Sequence, residues 1–135
     1  MLRKNAKLEL LKRVPLFARC SKAELGRIAL VADELTLPAG RTLTKEGAPG
    51  REFVVLVEGT ADVTRKGRRI NTLGPGDFLG ELSLVTDRPR SATVTTTSPT
   101  RILLLTGRDF TTLMREVPSI TSKVLAAVVE RLPAD

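Results

Sequence analysis

The sequence predicts a mainly β domain flanked by helices, and two observations carry that reading. From Asp33 to Thr106, strand-length apolar segments recur between glycine-centred turns, the pattern of a β-sandwich or a jelly-roll barrel. On both sides of that block the apolar residues return at helical spacing. A chain of 135 residues is one domain, large enough to bury a full core and too small for two ordinary ones. A hydrophobic fraction of 41% with 27% charged residues belongs to a folded chain rather than a disordered one.

Residues 1–32 read as an N-terminal helical segment. Lys4 to Lys12 places Leu8 and Leu11 on one face of a short helix. Val14-Pro15-Leu16-Phe17 breaks it, because proline cannot continue a helix and biases its predecessor toward extended backbone. Ser21-Lys22-Ala23-Glu24 is a capping box, and Leu25, Ile28, Ala29 and Ala32 follow on one helix face.

Residues 33–106 read as the β-roll. Glu34-Leu35-Thr36-Leu37 and Arg41-Thr42-Leu43-Thr44 alternate as half-buried strands do, whereas Phe53-Val54-Val55-Leu56-Val57 is a continuous, more deeply buried run. Ala61-Asp62-Val63-Thr64, Arg69-Ile70-Asn71-Thr72-Leu73, Ala92-Thr93-Val94-Thr95 and Ile102-Leu103-Leu104-Leu105 complete the strand set. Thr95-Thr96-Thr97-Ser98 is expected to be a β-prone edge strand rather than a phosphorylation site.

Residues 107–132 return to helix. Thr106-Gly107-Arg108-Asp109 opens one, with Phe110, Leu113, Met114 and Val117 as its apolar stripe and Pro118 as its end. A methionine-containing stripe at this spacing is core, not a cofactor site. Ser119 is the expected N-cap of a second helix carrying Ile120, Val124, Val128 and Leu132, which Pro133 stops. That last element can rest on the roll or lift from it. Only Pro133, Ala134 and Asp135 follow, so no helix-turn-helix and no DNA-binding element is expected.

Composition excludes several chemistries. The chain has no histidine and one cysteine, so zinc sites, haem or iron–sulfur ligation and histidine acid–base catalysis lose their usual residues. No catalytic residues, no metal ligands and no cofactor are expected, and the protein is read as a binding domain rather than an enzyme. Cys20 can form no internal disulfide and reads as a loop or cap residue without an activated thiol. With no signal peptide and no apolar run of membrane-spanning length, a reducing, cytoplasmic setting is expected. The net charge of +7 is dispersed, tyrosine and tryptophan are absent, and the four phenylalanines do not alternate with arginines. The charge therefore reads as a solvated basic surface, open to an acidic protein partner.

The chemistry concentrates at Gly74-Pro75-Gly76-Asp77-Phe78-Leu79-Gly80-Glu81-Leu82-Ser83-Leu84, followed by Pro89-Arg90-Ser91-Ala92-Thr93. Gly80 opens a segment whose amides, around Glu81, Leu82 and Ser83, can converge on an anion. Arg90 can add two parallel hydrogen bonds to phosphate oxygens, and Ser91 a hydroxyl. Glu81 would repel a phosphate unless a neighbouring sugar hydroxyl donates to it. The implied ligand carries one phosphate and one free hydroxyl on the same ribose. The alternative is structural, with Glu81 and Arg90 as a salt bridge tying a loop to a strand.

These two segments resemble the phosphate-binding cassette of the cyclic-nucleotide-binding domain family, which includes the catabolite activator protein, protein-kinase regulatory subunits and cyclic-nucleotide-gated channels. The Pro-Leu-Phe break, Pro38-Ala39-Gly40, Lys45-Glu46-Gly47, Val57-Glu58-Gly59 and Leu73-Gly74-Pro75-Gly76-Asp77-Phe78 follow in the family's order. The resemblance implies a β-jelly-roll barrel with an N-terminal helical segment and two C-terminal helices, and a cassette at residues 78–93. It implies that Glu81 accepts the ribose 2′-hydroxyl and that Arg90 pairs with the cyclic phosphate. Gly80, Leu82 and Ser83 supply cassette backbone, Ser91 follows the arginine, and Val63 and Leu73 wall the base. The helix from Ser119 becomes a lid offering Val124, Leu125 and Val128. The implied function is a stand-alone sensor for a cyclic nucleotide, cAMP first and cGMP second, acting on a protein partner through its C-terminal helix. The alternative is a protein-interaction module with the same fold and a vestigial cassette.

Overall fold

The fold was analysed in a computed structural model that describes residues 4–80 and 89–131, leaving aside the side chains of residues 4–6, 127, 128, 130 and 131. Helix α1 (Lys4–Lys12), a 3-10 turn (Pro15–Phe17) and α2 (Lys22–Val31) precede the strands. The strands are β1 (Asp33–Leu37), β2 (Thr42–Thr44), β3 (Glu52–Glu58), β4 (Ala61–Arg65), β5 (Arg68–Leu73), β6 (Phe78–Leu79), β7 (Thr93–Thr96) and β8 (Thr100–Thr106). Helices α3 (Gly107–Glu116) and α4 (Pro118–Arg131) close the order.

The strands form two antiparallel four-stranded sheets, β1-β8-β3-β6 and β2-β7-β4-β5. This is the jelly roll expected from the sequence, built as a two-sheet sandwich rather than closed into a barrel among the described residues. Among the described residues each sheet keeps its own edges, β1 and β6 in one and β2 and β5 in the other.

Sheet β1-β8-β3-β6 separates two apolar cores. On its sandwich face Val54, Leu56 and Ile102 meet Ala61, Leu73 and Val94 of the second sheet. On its other face Phe53, Val55, Leu103 and Leu105 meet the helices through Phe17, Ile28, Phe110 and Ile120. Burial on both faces explains why β3 reads as an unbroken apolar run rather than an alternation. Phe53 stacks obliquely between Phe78 and Phe110, with ring centroids 5.5 and 4.7 Å away.

The helix ends follow their sequence signals. Ser21 Oγ accepts from the Glu24 amide at 3.1 Å, and the Glu24 carboxylate accepts from the Ser21 amide at 2.7 Å, the predicted capping box. At the other end of α2, Lys7 Nζ donates to the carbonyls of Ala29 (3.2 Å) and Ala32 (2.8 Å), so a cation sits where the helix dipole favours one. Thr106 Oγ1 caps α3 by accepting from the Asp109 amide at 3.1 Å.

Three expectations need correction. Helix α4 starts at Pro118, so Ser119 is not its N-cap but lies within its first turn. Proline both terminates α3 and opens α4, because its missing N–H is one that a first turn leaves unused anyway. Strand β7 is not an edge: it lies between β2 and β4, and buried Thr96 donates to the Pro38 carbonyl at 2.8 Å. In β1, Leu35 faces solvent at 42% exposure, because this strand is an edge with one neighbour.

Candidate functional site

Arg90 is the organising residue of the site. Its side chain retains 6% of its exposure, an unusual depth for a guanidinium. The backbone enforces that position from both sides. The Arg90 amide donates to the Ala48 carbonyl at 2.9 Å, and the Gly47 amide donates to the Arg90 carbonyl at 2.8 Å. The loop before β3 is thereby stapled to the strand-entry segment that carries the arginine. Two flanking bonds extend the staple. The Glu46 amide donates to Thr93 Oγ1 at 2.9 Å, and Thr44 Oγ1 donates to the Ala92 carbonyl at 3.0 Å.

The guanidinium passes between two glycines that no other residue can replace cleanly. A Cβ on Gly50 would overlap the Arg90 guanidinium itself. A Cβ on Gly80 would overlap the Glu52 carbonyl and lie 2.7 Å from Arg90 Nη1, on a backbone with φ +97° that L side chains rarely adopt. Arg90 Nη2 donates to the Glu52 carbonyl at 2.9 Å and lies 3.6 Å from the Glu52 carboxylate. The Glu52 side chain is 54% exposed, so its charge faces Arg90 from the solvent side. A buried, oriented guanidinium whose Nη2 contacts both the Glu52 carbonyl and the exposed Glu52 carboxylate is suited to an anion with in-plane oxygens.

The predicted site residues distribute unevenly around this centre. Gly80 and Arg90 are brought together as expected. Ser91 follows on the surface, where its carbonyl accepts from Arg65 Nε at 3.0 Å. Val63 is half-buried on β4, and Leu73, at 6% exposure, packs with Leu79 and Val94 inside the sandwich. Glu81, Leu82 and Ser83 lie outside the described residues. In the predicted lid, Val124 is 1% exposed and faces the helical core rather than Arg90, Leu125 is 52% exposed, and the Val128 side chain lies outside the described set.

Sequence reasoning missed Gly50 and Glu52. Gly50 was legible only as a turn glycine, and its contact with Arg90 spans forty positions that no local pattern reports. Cys20 sits half-buried with its sulfur 3.6 Å from Ser119 Oγ, joining the N-terminal segment to α4. Burial pushes its thiol above the ordinary cysteine range, against a smaller opposing effect of the Ser119 hydrogen bond. Its raised pKa disfavours the thiolate, the reactive form of the thiol. Among the described residues no cluster of three metal-ligating side chains occurs, and no helix is long and apolar enough to cross a membrane.

Comparison with known proteins gives this geometry its class. The model of the cyclic nucleotide-binding domain matches residues 34–117. The chain therefore belongs to the cyclic nucleotide-binding domain family. It is 34% identical to a cyclic nucleotide-gated potassium channel of Mesorhizobium japonicum, over 91% of this chain and 34% of the channel. It is 38% identical to a cAMP-dependent protein kinase regulatory subunit of Aspergillus fumigatus, over 73% of this chain and 24% of that one. The chain thus spans about a third and about a quarter of these two relatives' lengths.

Solved structures agree on the fold. The regulatory domain of Toxoplasma gondii PKA with cAMP superposes with a TM-score of 0.81 at 25% identity, covering 93% of this chain and 50% of that one. The regulatory subunit of a cAMP-independent protein kinase A from Trypanosoma brucei superposes with a TM-score of 0.86 at 18% identity, covering 98% of this chain and 48% of that one. The second likeness concerns the fold alone. One of these proteins is solved with cAMP and the other is cAMP-independent, so the fold by itself does not decide the ligand.

Proposed function

We propose that this chain is a cyclic-nucleotide sensor, with cAMP as its ligand and cGMP as the weaker one, that regulates a protein partner through movement of α4. The observation that supports it most is the Arg90 cradle. A guanidinium buried between Gly50 and Gly80 has little structural purpose that a smaller or apolar residue would not serve, since burying a cation carries a desolvation cost. A cyclic phosphate entering from the Glu52 side would meet two guanidinium N–H groups in a plane, with the exposed Glu52 carboxylate rotating away. In this reading Glu81 takes the ribose hydroxyl, Gly80, Leu82 and Ser83 provide amides, and Ser91 a hydroxyl. The base rests beside the half-buried Val63.

The response belongs to the C-terminal helices. A ligand shifts an equilibrium between positions of α4 only by the difference in its affinity for them. A cytoplasmic location is part of the same reading, supported by a single, unreactive cysteine.

A second reading, a protein-interaction module with a vestigial cassette, is favoured by one observation: Glu52 already engages Arg90. Calorimetric titration with cAMP and cGMP separates the two. The sensor reading expects saturable binding, a rise in thermal midpoint with nucleotide, and a loss of at least about a hundredfold in Arg90→Ala, as for truncating one partner of a buried charge pair. Ser91→Ala should change affinity by less than about threefold, because an exposed hydroxyl contributes little. No binding of either nucleotide at millimolar concentration would leave the interaction module as the function.

A further inference from the structure

A second polar site shares Glu52 with the Arg90 site. It is a cleft of about 420 Å³ whose walls are Arg51, Glu52 at the start of β3, and the outer face of α3. That face is a regular stripe: Arg108, Thr111, Thr112 and Arg115 recur at i, i+3, i+4 and i+7, all exposed. The opposite stripe of the same helix, with Phe110 and Leu113, is buried in the helical core. The helix thus has one face accounted for by packing and one whose residue choice packing does not explain.

Among the described residues that line the cleft, the exposed Arg108 and Arg115 of α3 stand opposite Arg51 and Glu52, so the α3 wall is cationic. Arg108 is the second residue of α3, where the helix dipole disfavours a cation and favours an anion. The Thr111 and Thr112 hydroxyls donate to the Gly107 and Arg108 carbonyls, so the arginines and not the hydroxyls would carry recognition. No aromatic residue lines the cleft to stack on a base, which argues against nucleic acid as its occupant. Side-chain carboxylates on an extended segment match both its charge and its lack of stacking surfaces.

We infer that this cleft is a docking site for an acidic segment of a partner protein. Arg108 and Arg115 are its principal contacts from α3. The site adjoins the nucleotide site through Glu52, whose carbonyl accepts from Arg90. Docking itself needs no nucleotide, so its test stands apart from the sensor reading.

The test is fluorescence anisotropy of a labelled glutamate-rich peptide with the full chain, without nucleotide, across a range of salt. The wild-type chain should bind and should weaken as salt rises. Arg108→Glu with Arg115→Glu should lower affinity by at least about tenfold. Arg68→Glu with Arg69→Glu, an equal charge change on the exposed edge strand β5, should lower it by less than about threefold. If the cleft variant loses its thermal transition, Arg108→Gln with Arg115→Gln replaces it. Absence of wild-type binding, equal losses in the two double variants, or tighter binding of a thymidine oligonucleotide with the same dependence on Arg108 and Arg115 would each overturn the assignment.

Discussion

The Arg90 cradle and helix α4 are both needed by the proposed sensor, and they are held by different means. Among the described residues, main chain dominates the contacts that position Arg90: the Ala48 and Glu52 carbonyls, the Gly47 amide, and the bare α-carbons of Gly50 and Gly80, with the Glu52 carboxylate beside them. Helix α4 is held by side chains. Ile120 and Val124 enter the helical core, Lys123 donates to the Pro15 carbonyl, and Ser119 meets Cys20. Backbone contacts leave no rotamers to exchange, whereas side-chain packing can be remade at a cost of a few kcal/mol. The difference teaches where each function belongs: capture where the geometry cannot relax, and response where it can.

The largest expected effect comes from breaking the cradle's backbone. Gly80→Ala must either open φ away from +97° or push back the Glu52 carbonyl, and with it Arg90. Strain of this kind together with overpacking lowers stability by about 2–4 kcal/mol. Gly74→Ala is the matched control, because a Cβ there meets nothing within 4 Å, and it should change stability by less than about 0.5 kcal/mol. Urea unfolding with an unchanged slope measures both. Equal midpoints for the two variants would mean that the cradle is pliable and that the contrast with α4 is false.

The cradle also marks the limit of what the sequence discloses. Strands β3, β4, β5 and β8 and all four helices were legible, because each carries its signal in its own residues, as an apolar or β-prone run between turns or as helical spacing. Strand β6 was not. Phe78–Leu79 is two residues long inside a glycine-rich turn, and it is a strand only because it pairs with Val54 and Val55. The interior position of β7 was hidden for the same reason, since strand order is set by partners far away in the chain. Arg90 was legible from the residue types around it. Gly50 and Glu52 were not, because their relation to Arg90 is made by the loop staple rather than by spacing. Val124, expected in the lid, carries the same periodic signal whether it covers a ligand or fills a core, and here it packs in the helical core.

That last point defines the next prediction. Val124→Ala removes buried methyl groups from the helical core and should cost about 2 kcal/mol, through lost transfer energy and a residual cavity. Leu125→Ala, one residue along and 52% exposed, should cost less than about 0.5 kcal/mol. Thermal or urea midpoints distinguish them. Similar losses would place both faces of α4 in packed surroundings and remove the outward face from any role in response.

The smallest effect sharpens the comparison most, because it tests a side chain that faces the cradle. Glu52 presents its carboxylate 3.6 Å from Arg90 Nη2 while more than half its side chain is in water. Solvent screening keeps such a pair weak, on the order of 1 kcal/mol or less. If a phosphate takes the place of this carboxylate, whatever the pair contributes to the free state is lost on binding. Glu52→Gln removes that contribution from the free state alone and keeps the main-chain carbonyl that orients Arg90. Cyclic-nucleotide affinity should then rise by about three- to fivefold, the factor corresponding to somewhat less than 1 kcal/mol. A fall in affinity would show instead that the carboxylate helps to orient the guanidinium in the bound state. The cradle would then rest on a side chain as well as on main chain, and its distinction from α4 would be one of degree.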